Sequence, residues 1–337
     1  MIDSPPAERW SRRLGRQAGR VVVDSLFRGA AELGRRLPIA HPKRHGVDVV
    51  ADVVFAQRDG VELRLDIYRP VGTTAADRLP TVLYVHGGGF RILSKETHWV
   101  FGLAYARRGF VVFNVSYRLA PQHRYPAAIH DVLDAYRWVV EHAEAWGGCP
   151  SRLVLAGESA GANLVTAATV AATFERPEPW AKAVFDLDCV PKAVVAACGI
   201  LQVSDTERFG RRRPLSPFIA DRLCEVSEAY LGPGGARPSA QGARAHELAD
   251  PLVLLEGDLP AARPLPPFFI PVGTKDPLLD DTRRLASALR HRGVRCQDAY
   301  YKGGVHAFHA FVFQKIARQC WADTFAFLDA TDALGTP

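Results

Sequence analysis

No stretch of this 337-residue chain approaches the ~18 consecutive apolar residues of a membrane-spanning helix. The longest apolar run, Ala193–Leu201, has the length of a strand. Cysteine pairing motifs are also missing. The six cysteines (149, 189, 198, 224, 296 and 320) form no CxxC pair and no compact framework, so they read as reduced thiols, mostly in the core. The opening MIDSPPAERW places Asp3, Glu8 and two prolines where a secretory signal needs a basic start and an apolar run. Hydrophobic residues at 48% and charged residues at 23% leave no room for disorder, collagen-like repetition or a disulfide-stapled mini-protein. These absences point to a globular, cytoplasmic protein large enough to bury its own core. An Arg-rich N-terminus keeps an organelle transit peptide as a minority reading.

The charge is unevenly placed. Lys+Arg number 42 and Asp+Glu 36, a net of +6. Residues 1–46 hold ten of the bases and four of the acids, so the rest of the chain is balanced. A balanced body removes the composition argument for nucleic acid binding. Within residues 1–46, Trp10, Leu14, Ala18, Val21 or Val22, Leu26, Ala30, Leu33 and Leu37 recur at helical spacing, with Arg9, Arg12, Arg13, Arg16 and Arg20 largely between them.

From Val47 the texture changes. Val47–Ala56 and Val61–Tyr68 flank an Asp59-Gly60 turn signal and predict a hairpin. Strand-like runs then alternate with helical ones: Thr81–Val85, Val111–Val115, Arg152–Ala156, Ala193–Cys198, Pro267–Val272 and Gln297–Tyr301 against Thr97–Arg108, Ala127–Trp146, Ser159–Phe174, Asp281–His291 and Ala310–Leu328. This order predicts an α/β fold with a mostly parallel sheet and helices on both faces. Residues 200–266, rich in Pro, Gly and Arg, are too long for a loop and read as an inserted subdomain with a helix near Ser216–Tyr230.

Two glycine motifs carry chemistry. Gly157-Glu158-Ser159-Ala160-Gly161 follows a strand and opens a helix, the context of a nucleophile elbow, in which the turn pushes the Ser159 hydroxyl out of the sheet. Chance predicts roughly 0.1 such pentapeptides here, so this match alone is only suggestive. His86-Gly87-Gly88-Gly89-Phe90 also follows a strand, and its glycines let backbone N–H groups turn inward to meet an oxyanion. It lacks the Lys-Ser/Thr of a phosphate loop. Both motifs belong to acyl transfer.

A serine nucleophile needs a base and an orienting acid, which in this fold follow it in that chain order: serine, acid, histidine. Asp276 lies just beyond the strand Pro267–Val272, and His306 follows the glycines after Gln297–Tyr301. Asp276, Asp280 and Asp281 also suit a helix N-terminus. His309 is the competing base; no nearby Cys or carboxylate completes a metal set with His306-x-x-His309, so no metal is expected. His41, His45, His98, His123, His130, His142, His246 and His291 read as surface or packing residues, and His86 as a shaper of the glycine loop.

In these motifs the sequence resembles the hormone-sensitive-lipase-like branch of the α/β-hydrolases, the family IV bacterial esterases. The matching residues are His86–Phe90, Tyr117-Arg118-Leu119-Ala120-Pro121 with Tyr125-Pro126-Ala127-Ala128, Gly157–Gly161 with Asn163, Asp276-Pro277-Leu278 with Asp280, and His306. The resemblance implies an eight-stranded sheet and a serine carboxylesterase acting on short- to medium-chain esters through an acyl-enzyme, without metal or organic cofactor. It implies Ser159, Asp276 and His306 as the triad and the N–H groups of Gly88, Gly89 and Ala160 as the oxyanion hole, supported by His86, Gly87, Glu158 and Asp280. It also implies a cap from residues 1–46 and 200–266 over a core of 47–199 and 267–337. Three places depart from the family pattern: Ala162, which does not touch the chemistry, Ala307, which bears on the conformation of the His306 loop, and the stretch Arg91–Ser94, which bears on the acyl or alcohol pocket. The expected partner is a small-molecule ester, with no nucleic acid and no stable membrane insertion; a homodimer is left open. An amidase or deacetylase with the same triad is the runner-up. A non-catalytic receptor on this fold would lack His306, and a peripheral lipase would use residues 1–37 as an interfacial helix.

Overall fold

The computed structural model describes residues 22, 24–212, 214–232 and 247–331. Eight strands form one sheet: β1 (Val47–Arg58), β2 (Val61–Pro70), β3 (Leu79–Val85), β4 (Val111–Val115), β5 (Gly148–Glu158), β6 (Ala193–Ala197), β7 (Phe268–Gly273) and β8 (Cys296–Tyr301). Their order is β1-β2-β4-β3-β5-β6-β7-β8. The β1–β2 hairpin and the β2–β4 pair are antiparallel, and every later pairing is parallel. The expected α/β-hydrolase sheet is therefore present.

The pleat sends alternate residues to opposite faces. Leu83, Val85, Phe113, Leu153 and Leu155 enter one core with α3 (Ala127–His142), α4 (Ala160–Thr173) and α9 (Leu279–His291). Val82, Tyr84, Val112, Val154 and Ala156 enter the other with α2 (Trp99–Ala106) and α10 (Lys315–Asp329). Both faces are buried, which is why the central strands read as continuous apolar runs.

Residues 200–266 contribute α6 (Arg208–Arg212), α7 (Pro217–Leu231) and α8 (Pro251–Glu256). Phe209, Tyr230, Leu248 and Leu252 join the same hydrophobic cluster as the sheet, so this segment shares the main core. The helix α5 (Pro179–Phe185) and the short α6 and α8 were not foreseen; α5 and α8 begin at proline, where the fixed φ suits a first helical turn.

A helix α1 spans 24–36. Its apolar stripe does not face the body: Leu26 is 69% and Leu33 67% exposed. The body offers it a polar loop instead. Asp24 Oδ1 accepts from Leu93 N at 2.9 Å, Arg28 Nη1 donates to Ser94 Oγ at 3.3 Å, and Gly34 lies against Trp99. The Arg9–Arg20 face and the stripe from Trp10 to Val21 lie outside the described residues.

Candidate active site

The elbow between β5 and α4 holds Ser159 at φ 57° and ψ −116°, a backbone region that non-glycine residues seldom occupy. Ser159 N donates to Ala197 O at 2.9 Å, anchoring the turn to β6. The flanking glycines follow from crowding. A Cβ on Gly161 would stand 2.0 Å from Val85 O, and one on Gly157 would stand 2.7 Å from Gly161. Strand β3 therefore meets the start of α4 backbone to backbone.

The chain after β7 turns back through Asp276 N to Gly273 O at 3.0 Å, and Asp276 is fully buried. Its Oδ1 accepts from Leu278 N at 2.8 Å, and its Oδ2 lies 2.9 Å from His306 Nδ1. His306 Nε2 lies 3.0 Å from Ser159 Oγ. The structure thus brings together the three residues singled out from the sequence. Burial disfavours the imidazolium, but Asp276 outweighs it and holds His306 well above its ordinary pKa.

His309 does not compete. It is buried in the core between Phe101 and Phe308, and burial pushes it down to about 4. Asp280 is not brought to the triad either: in the first turn of α9 it faces Arg283 at 3.4 Å and Arg212 at 3.6 Å. Asp281 beside it is buried, accepts from Leu201 N at 2.8 Å and pairs with Arg208.

The glycine loop sits across from Ser159. Gly88 and Gly89 have φ of 101° and 59°, and a Cβ on Gly88 would stand 2.1 Å from Ile92 O. Among the described residues the N–H groups of Gly88, Gly89 and Ala160 are not engaged in hydrogen bonds, whereas Gly87 N donates to Glu158 Oε1 at 2.5 Å. Tyr117 Oη donates to His86 O at 2.9 Å, and Ala120 N donates to Phe90 O at 2.8 Å. The Tyr117–Pro121 motif therefore laces the loop in place, itself held by Arg118, which donates from Nη2 to Asp131 Oδ1 at 2.7 Å. The His86 ring stacks on Tyr117 at 4.3 Å, and burial pushes it down to about 3, so it stays neutral and structural.

Glu158 is buried behind the elbow. Besides Gly87 it meets His98 Nε2 at 2.7 Å and accepts from Tyr84 Oη. Burial opposes its charge, but His98 and Tyr84 prevail and hold the carboxyl below its usual value. Neither Tyr84 nor His98 was marked as a site residue in the sequence, because Tyr84 reads as a strand core residue and His98 as a packing histidine. Over the loop lies α7: Phe90 stacks on Tyr230 at 3.9 Å, Arg91 pairs with Glu225, and Val226 stands 2.8 Å from where a Gly89 Cβ would be. Asn163 Nδ2 donates to Ile200 O and Ala249 O, both at 2.8 Å, tying α4 to the same segment.

A serine on a strained strand–helix elbow, backed by histidine and a buried acid and faced by free N–H groups, is the arrangement of a serine hydrolase. The chain belongs to the alpha/beta hydrolase fold family whose profile matches residues 82–310. It is 32% identical over 259 residues to "Carboxylesterase NlhH" of Mycobacterium tuberculosis, covering 75% of this chain and 73% of that one. Among solved structures it is similar to "Bacterial Heroin Esterase", with TM-score 0.73 and 25% identity over 95% of this chain and 92% of the other. The esterase LipW from Mycobacterium marinum superposes with TM-score 0.71 at 27% identity over 92% and 90% of the two chains.

Proposed function

We propose that the chain hydrolyses short- to medium-chain carboxylic esters through an acyl-enzyme on Ser159. It is a carboxylic ester hydrolase, and its partner is a small-molecule ester. The observation that carries the residue roles is the relay from Asp276 Oδ2 through His306 to Ser159 Oγ, at 2.9 and 3.0 Å. Ser159 Oγ attacks the acyl carbon as His306 Nε2 accepts its proton. Asp276 keeps the Nδ1 proton on the far side of the ring and stabilises the imidazolium. The N–H groups of Gly88, Gly89 and Ala160 meet the oxyanion, each worth about 10²–10³ in rate. His306 then protonates the leaving alkoxide, and water repeats the sequence on the acyl-enzyme.

The relatives named for esterase activity support the same reading. The contacts of α1 with residues 93–94 and of α7 with the glycine loop support residues 1–46 and 200–266 as a cap over the core of 47–199 and 267–337. Six cysteines that form no disulfide support a cytoplasmic setting. Among the described residues no helix is long and apolar enough to cross a membrane.

The test is Ser159→Ala assayed on p-nitrophenyl acetate and butyrate. We expect kcat to fall by roughly 10⁴–10⁶ with an unchanged circular dichroism spectrum. Retained turnover would remove Ser159 from the nucleophile role.

A further inference from the structure

The sequence offers no cysteine near His306, but the fold supplies one. Cys198 directly follows β6 with a positive φ of 41°, and its N–H donates to Pro271 O of β7 at 2.9 Å. This places it between the serine elbow and the loop that carries Asp276. Cys198 Sγ, a carboxylate oxygen of Asp276 and a ring nitrogen of His306 all lie within 4.8 Å of one another. Cys198 and Asp276 are buried, Cys198 in a small apolar cluster with Ala197, Val272 and Leu279. His306 forms the exposed side, its side chain 36% accessible.

We propose that Cys198, Asp276 and His306 form an inhibitory site for a thiophilic divalent cation of the zinc class. Three protein ligands of S, O and N type are what such an ion takes when a fourth position stays open. Bond lengths of 2.0–2.3 Å put tetrahedral ligand atoms about 3.4–3.8 Å apart. The cluster must draw in by about 1 Å at its widest, while the 2.9 Å Nδ1–Oδ2 contact opens by about 0.5 Å. Thiolate and carboxylate together neutralise a divalent charge, so the loaded site is neutral in a dry setting. A thiolate ligand selects zinc, cadmium or copper over magnesium and calcium.

Binding releases the Cys198 thiol proton to solvent and moves the His306 proton from Nδ1 to Nε2. His306 then donates to Ser159 Oγ and cannot accept its proton, and Asp276 is occupied by the ion. Turnover stops with the ester pocket intact. The inhibitory part rests on His306 being the base; the binding part does not.

The full-length protein is titrated with cobalt(II), read by the thiolate-to-cobalt charge-transfer band in the near ultraviolet, and zinc is then added to displace it. We expect the band in the wild type and in Ser159→Ala, and its loss in Cys198→Ala and Cys198→Ser; two replacements guard against one failing to fold. In parallel, zinc inhibition of ester turnover is measured against each variant's own metal-free rate. Replacing Cys198 should raise the half-inhibiting zinc concentration at least about tenfold, and magnesium should not inhibit. No band, or a band that persists without Cys198, overturns the site. A Cys198-dependent band with undiminished turnover overturns the inhibitory claim, whereas loss of activity in Ser159→Ala stands apart from either result.

Discussion

At the scale of single residues the site is governed by what each group is made to hold. His306 must be neutral to accept a proton, and Asp276 holds its pKa well above the ordinary 6.5. With His306 as the proposed base, protonation as pH falls should switch the enzyme off, and the acid limb of kcat/KM should have its midpoint above 6.5. In Asp276→Asn the raising charge is gone, so the limb should move to lower pH while the plateau falls by about 10³–10⁴. A pH–rate profile of both proteins checks this, and an unmoved limb would contradict it. Glu158 acts one step back, since its carboxylate fixes Gly87 N and is itself held by His98 and Tyr84. Glu158→Ala frees the start of the glycine loop and should cut kcat about tenfold or more with a smaller change in KM. Glu158→Gln keeps one oxygen for Gly87 and should recover much of the loss. Steady-state kinetics on the pair separate loop positioning from a general loss of stability, which would lower active enzyme without changing that ordering.

At the scale of elements α7 packs against the glycine loop beside Ser159, through Tyr230 on Phe90 and Val226 on Gly89. Val226 on α7 borders Gly89 more closely than any added carbon could tolerate. Val226→Ala should shift preference toward longer acyl chains, raising the octanoate-to-acetate ratio of kcat/KM about tenfold, since each methylene is worth about 1–3 kcal/mol in such a pocket. A chain-length panel of p-nitrophenyl esters reads this directly; an unchanged ratio would place the acyl chain elsewhere. The strands were legible because burial on both faces makes them apolar runs, and the Ser159 elbow because only glycine fits where β3 and α4 touch. What the sequence did not disclose came from long-range meetings. Cys198 looked like one more core thiol, and only the parallel pairing of β6 with β7 sets it beside Asp276 and His306. The stripe on α1 was legible as periodic, but the sequence does not say what the helix meets: within 24–36 it docks through Asp24 and Arg28 on a polar loop, so Leu26 and Leu33 face outward. Periodicity reports that a helix has an apolar side, not which side its neighbour takes.

At the scale of the whole molecule, balanced charge beyond residue 46 and a core on each face of one sheet leave chemistry as the property that distinguishes this chain from other α/β proteins. Ser159 and His306 are separated by 147 positions and Asp276 and His306 by 30, so the triad is a product of topology rather than of any local segment. Strands β6 and β7 must be laid between β5 and β8 before Ser159 Oγ can meet His306. Non-local parallel pairing of this kind closes slowly compared with helix formation. After dilution from denaturant, ester turnover should therefore return later than the far-ultraviolet helical signal, and simultaneous recovery of both would show that the sheet assembles in one step with its helices. On the proposed roles, the 3.0 Å contact between Ser159 and His306 forms only once the far edge of the sheet has closed. A chain still emerging, clipped after β6 or misassembled at that edge would then carry an unactivated serine and be silent toward esters rather than indiscriminate.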